Sequence, residues 1–139
     1  MAMLNTVQKV EVLKHVPLFS ELSGKDRMLI ALIATEEQLP PDSLLCEEGD
    51  IGDELFLVIE GKISVERIDT EGSLKQLAII GENSCVGETS LFVDQPRNAT
   101  LRVIETSKIL FIQKILLHEL IKDYPQIAFG IISSLIYRQ

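Results

Sequence analysis

Apolar residues between Asn5 and Glu36 recur at helical spacing, with one interruption. Val7, Val10, Val12 and Leu13 follow Asn5, a residue whose side chain caps helix starts, and His15-Val16-Pro17 ends the run because proline lacks the N–H that a helix needs. Ser23 offers a second cap, after which Met28, Leu29, Leu32 and Ile33 predict one buried face. The pattern therefore predicts a helical cap over residues 5–36. From 37 to 113 it changes to short apolar runs, such as Leu55 to Ile59 and Gln76 to Ile80, separated by turn residues including Pro40-Pro41-Asp42, Glu60-Gly61-Lys62 and Asp94-Gln95-Pro96. Turn signals at such regular spacing predict antiparallel strands in a barrel or sandwich. The near-alternation in Ile63 to Ile68 predicts one buried and one wet face. Past Gln113 the helical period returns: Leu116, Leu117, Leu120 and Ile121, a break at Asp123-Tyr124-Pro125, then an apolar segment over 126–139 that must pack on something. The fold class expected is mainly β with helical ends: an antiparallel β-roll, jelly-roll-like or cupin-like, between N-terminal helices and two C-terminal helices over 114–139. The pattern fits a single domain over 1–139. An apolar last helix without a glycine stop signal is expected of an excised fragment, or of a helix that meets a partner.

Composition narrows the function. With 46% apolar and 24% charged residues, the chain resembles soluble globular proteins, and no apolar run approaches the ~20 residues of a membrane span. The N-terminus shows no secretory signal pattern, so a cytoplasmic setting is expected, or the cytoplasmic face of a membrane within a larger protein. Cys46 and Cys85 are then expected to be reduced packing residues. A net charge of -8 argues against direct nucleic-acid binding, because no excess cation is available to release counterions from phosphates. Any bound anion must be held locally.

One segment offers such a place. In Val86-Gly-Glu-Thr-Ser-Leu-Phe-Val-Asp-Gln-Pro-Arg-Asn-Ala-Thr100, Gly87 permits close backbone approach and Glu88 to Phe92 can form a helical turn with outward N–H groups. Arg97, fixed by Pro96, can supply forked hydrogen bonds to a phosphate. Glu88 would repel that phosphate, so it must face a donor such as a sugar hydroxyl. The plainer reading is a surface ion pair, worth about 0–1 kcal/mol.

This segment resembles the phosphate-binding cassette of the cyclic-nucleotide-binding domains shared by catabolite-activator-type regulators, cyclic-nucleotide-dependent kinases and gated channels. Glu48 to Val65 resembles the same family's glycine-rich hairpin and following strand, with Gly49, Gly52 and Gly61 expected to supply φ > 0 in tight turns. The resemblance implies that Glu88 accepts from the ribose 2′-OH, that the Gly87 backbone contacts the sugar, and that Arg97 and the Ser90 N–H hold the phosphate. Thr89, Asn98 and Ala99 complete the cassette; Leu77, Ile80 and Val86 are candidates to line the base. Leu135 or Tyr137 in the last helix would cap it as a lid. The ligand implied is cAMP or cGMP, with cAMP favoured, although Asn98 stands where an alanine or a threonine accompanies one choice or the other. No metal, cofactor or catalysis is expected: a cupin-type metal site would need converging histidines, and His15 and His118 lie in the two helical ends. The partners implied are an effector domain or larger parent protein, such as a membrane transporter, and a second copy through the C-terminal helix. A ligand-free interaction module of the same fold is the alternative.

Overall fold

The computed structural model describes residues 3–137. Asn5 caps α1 (Thr6–Lys14): its side chain accepts from the Gln8 N–H at 2.9 Å while the Gln8 side chain accepts from the Asn5 N–H, a reciprocal box. A single 3-10 turn, Pro17–Phe19, redirects the chain into α2 (Gly24–Ile33), which Ser23 caps. The first strand, β1 (Ala34–Leu39), follows with no intervening loop. It starts three residues before the expected boundary at 37, because Ala34 already adopts extended backbone and pairs with Ile112.

The remaining strands are β2 (Leu44–Cys46), β3 (Glu54–Ile68), β4 (Leu74–Ile80), β5 (Cys85–Val86) and β6 (Thr100–Gln113). All pairings are antiparallel, in the order β1-β6-β3-β4, with β2 on β6 and β5 on β3. Two helices, α3 (Lys114–Asp123) and α4 (Gln126–Tyr137), complete the chain; Arg138 and Gln139, expected in the same last helix, lie outside the described residues. The fold is thus a six-stranded antiparallel β-roll with helices at both ends.

Strand β3 explains the architecture. Leu55 to Val58 are all buried, because each face of the strand meets a different core. Leu55 and Leu57 join Leu110 and Ile112 against the helices, where Leu13, Phe19, Ile30, Leu117, Ile127 and Ile131 pack. Phe56 and Val58 point the other way, into the roll, with Ile63, Leu101, Val103 and Ile109. Each fully buried side chain of this size contributes roughly 1.5–3 kcal/mol relative to exposure.

Several faces differ from the pattern's prediction. Met28 and Leu32 are exposed, Leu32 at 65%, and the buried positions of α2 are Asp26, Ile30 and Ala31. The helix packs chiefly on α1 and also meets α3, and Gln126 Nε2 of α4 donates to the Asp26 carboxylate at 3.2 Å. In β3, Ser64 and Glu66 lie on the face expected to be wet, yet both are buried; Glu66 accepts from Arg102 Nε at 3.1 Å, which makes its burial tolerable. The run in β4 is not a core strand, since it is paired on one side only and Leu77 and Ile79 are exposed.

Candidate functional site

The cassette segment folds as a strand end, a 3-10 turn and a return to β6. Cys85–Val86 pairs with β3, Gly87 reverses the chain at φ +95°, and Thr89–Leu91 makes the single turn. The Ser90 N–H donates to the Gly87 carbonyl at 3.1 Å, so this donor is engaged inside the turn and does not point outward as the helix-start argument expects. Ser90 and Leu91 are buried, which seats the turn against β3.

Arg97 occupies the centre of the arrangement and is only 8% exposed. Its backbone is clamped to the glycine-rich loop: its N–H donates to the Asp50 carbonyl at 2.5 Å, and its carbonyl accepts from the Gly49 N–H at 2.8 Å. Nη2 donates to the Glu54 carbonyl at 2.6 Å, and Cζ lies 5.0 Å from the centroid of the Phe56 ring. Nε is buried and finds no hydrogen-bond partner among the described residues. A buried cation with a donor to spare is costly unless an anion meets it.

Two glycines make room for this side chain. A Cβ at Gly87 would meet Arg97 Nη1 at 2.4 Å and the Glu54 carbonyl oxygen at 2.9 Å. At Gly52 it would meet Ser90 Oγ at 2.1 Å and Arg97 Cζ at 2.8 Å. Gly49 and Gly61 do have positive φ, but Gly52 does not. Its glycine is required by close approach to the cassette, correcting the turn role expected of it.

A cavity of about 390 Å³ opens beside Arg97, within the range of roughly 300–1,000 Å³ that small-molecule sites occupy. The structure brings Val86, Gly87, Glu88, Thr89, Ser90, Arg97, Asn98 and Ala99 to its wall. Also on the wall, and missed as site residues by the sequence reading, are Cys46, Val65, Cys85, Gln95, Pro96 and Leu101. Gln95 and Pro96 belong to the cassette segment itself and Cys85 adjoins it, whereas Cys46, Val65 and Leu101 carry no local binding signal and are delivered by strand register. Cys46 and Cys85 are not joined in a disulfide, and burial pushes the Cys46 thiol above its usual range while the Arg97 charge pulls it back. Burial likewise raises Glu54, with the neighbouring Asp53 adding to the shift and Arg97 opposing it.

The other proposed base and lid positions lie elsewhere. Leu77 is on the edge strand and 54% exposed, and Ile80 packs against the core of the roll; neither lines the cavity. Leu135 packs onto the helical core and Tyr137 is 77% exposed, so neither stands over the cavity. The helix α4 is drawn instead to the Pro17–Phe19 turn, where the Ser134 hydroxyl accepts from the Glu21 N–H at 3.1 Å.

The helix α3 is fastened to the cassette. His118 Nε2 donates to the Leu91 carbonyl at 2.5 Å, and Lys114 pairs with Asp94 just beyond the turn. The larger cleft of about 780 Å³ along α3 contains Lys114 and Lys122, but both are already paired, with Asp94 and Glu119. No group of described residues has the arrangement of a metal site, and no described helix is long and apolar enough to cross a membrane.

A sequence profile described as "Cyclic nucleotide-binding domain" matches residues 36–124, which include the whole cassette and the glycine-rich hairpin. The chain belongs to that family. Among solved structures, this cyclic nucleotide-binding domain is similar to the N-terminal domain of a transcriptional regulator from Streptomyces coelicolor, at 31% identity and TM-score 0.84 over 91% of this chain and 89% of the other. It also shares its fold with the regulatory domain of Toxoplasma gondii PKA with cAMP, at 24% identity and TM-score 0.77 over 86% of this chain and 45% of that one. Among curated proteins, a cyclic nucleotide-gated potassium channel of Rhizobium etli is 25% identical over 88% of this chain and 33% of its own length. The domain spans about a third or less of these curated relatives, which are themselves channels, so the matched region is one part of each. A regulatory sensor role is consistent with this membership.

Proposed function

We propose that the domain binds a cyclic purine nucleotide in the cavity beside Arg97, cAMP ahead of cGMP, and that binding regulates an effector without catalysis. The observation that carries this reading is the buried Arg97, whose Nε–H has no hydrogen-bond partner among the described residues, in a cavity wall also formed by Gly87 and Glu88. In this reading Arg97 meets the exocyclic phosphate oxygens and Glu88 accepts from the ribose 2′-OH. Gly87, Thr89, Ser90 and Ala99 form the wall around the sugar phosphate. Asn98 is exposed and is neither the threonine that accompanies cGMP binding in the family nor the alanine that accompanies cAMP, so this position leaves the choice of nucleotide open. Cys46, Val65, Val86 and Leu101 supply apolar surface for the base.

Ligand effects reach α3 through the His118 bond to Leu91 and the Lys114–Asp94 pair. A ligand shifts such an element only by its difference in affinity for the two arrangements, so movement of α3 and α4 must alter the cassette's fit to the nucleotide. The effector is a further part of a longer protein, a channel or a regulator, as in the relatives.

Isothermal titration of the domain with cAMP and cGMP tests the reading. Binding of both is expected, cAMP tighter, and Arg97→Ala is expected to weaken it by about 100-fold, the loss of one or two hydrogen bonds to charge. Glu88→Gln keeps an acceptor oxygen and costs less. Absence of heat and of thermal stabilisation with either nucleotide at millimolar concentration would overturn the assignment.

A further inference from the structure

A guanidinium that leaves water needs its hydration replaced from several directions. Around Arg97 the Glu54 carbonyl takes one in-plane donor, and Nε–H faces no protein acceptor among the described residues. The remaining support is aromatic: Cζ lies 5.0 Å from the Phe56 ring centroid. Phe56 is 2% exposed, belongs to the core of the roll and does not line the cavity. Its ring is set in turn by Phe111, its register partner on β6, which it meets edge to face with centroids 5.5 Å apart and planes at 87°. Such an edge-to-face pair restrains the tilt of both rings, and a ring face attracts a cation through its quadrupole.

We propose that Phe56, held by Phe111, is the positioning residue of the anion site. It stabilises the Arg97 guanidinium at the cavity wall before any ligand arrives, so anion affinity depends on a side chain that the ligand never touches. A leucine at position 56 would fill much of the same space and offer no π face. The guanidinium would then lose its fixed approach, and the ligand would bear the cost of ordering it. The ligand in this argument is the one given by the nucleotide-binding reading; the geometry around Arg97 stands independently of it.

The test combines affinity with a spectroscopic readout on the whole chain. Isothermal titration with cAMP and thermal melting are measured for the unmodified protein, Phe56→Leu, Phe111→Leu and Val58→Ala, the last a control in the same core. Phe56→Leu is expected to weaken binding about tenfold or more, the order of a desolvated cation–π contact, and Phe111→Leu by a smaller factor. Val58→Ala is expected to lower the melting temperature with the affinity retained. In the ligand-free protein, the Arg97 Nε–H resonance is expected to be shifted upfield by the Phe56 ring current and to lose that shift in Phe56→Leu. Unchanged affinity with an unchanged Nε–H resonance in Phe56→Leu would overturn the proposal, as would an equal loss of affinity in Val58→Ala. Should the unmodified protein bind neither nucleotide, the functional reading fails and the Nε–H resonance alone decides the positioning role. Should Phe56→Leu not fold, Phe111→Leu carries both readouts.

Discussion

At residue scale the site is defined by what surrounds one cation. In sequence Arg97 and Glu88 are two charges on either side of a short apolar run; in the fold Arg97 is enclosed by Gly52, Gly87, the Glu54 carbonyl and Phe56. Gly52 illustrates how a residue type can be legible and its reason not. A glycine in a turn-rich loop suggests φ > 0, but here the decisive fact is a neighbour from the cassette, Ser90 Oγ, at 2.1 Å from any added Cβ. Gly52→Ala is therefore expected to cost about 1–3 kcal/mol by overpacking and also to weaken nucleotide binding by displacing Arg97. Gly49→Ala, with φ +94° and open space around the added carbon, is expected to cost about 1–2 kcal/mol of backbone strain with a smaller effect on affinity. Urea unfolding and titration of the two variants separate these causes.

At the scale of elements, caps and periods were readable because they are local. Asn5 and Ser23 cap the helices expected of them, and the change from strand to helix falls between Gln113 and Lys114. The link between α3 and the cassette was not readable, since Lys114 and Asp94 sit on separate elements and meet only after folding. That link predicts a pH signature. Asp94 is held below its usual 3.8, chiefly by the hydrogen bond from Lys114. An acid whose value is depressed on folding contributes stability above its unfolded value, and the contribution is lost as pH falls through the folded value. Lys114→Met should move the Asp94 titration back up toward 3.8, as followed by carboxyl NMR. The stability difference from the unmodified protein should be small, because the carboxylate is exposed, and should vanish well below pH 3.8.

At the scale of the whole molecule, the question is which apolar surface becomes core. In α4, Ile131 is fully buried while its neighbour Ile132 is half-exposed, and Phe129 is 69% exposed. Ile131→Ala is expected to cost about 2–5 kcal/mol in chemical denaturation, and Ile132→Ala well under half as much, because only the first leaves a cavity. A helix this uniformly apolar carries no polar face to announce its orientation. Burial of Ser64 and Glu66 in β3 is a similar case: alternation placed them toward water, and the return of β6 with Arg102 covered them.

The sequence by itself determined what depends on near neighbours along the chain: the helix caps, the turn-punctuated strands, and a cassette motif with its glycine, acid and arginine in order. Those features rest on backbone chemistry within a few residues, so they survive without a fold. Only the tertiary structure decided which helix faces are buried, that Leu77, Ile80, Leu135 and Tyr137 stand away from the cavity, and that Cys46, Val65 and Leu101 line it. It also placed Phe56 under Arg97, forty-one positions later in sequence, through the pairing of β3 with β5 and β6. Such contacts follow from strand register and helix rotation, which no local pattern specifies.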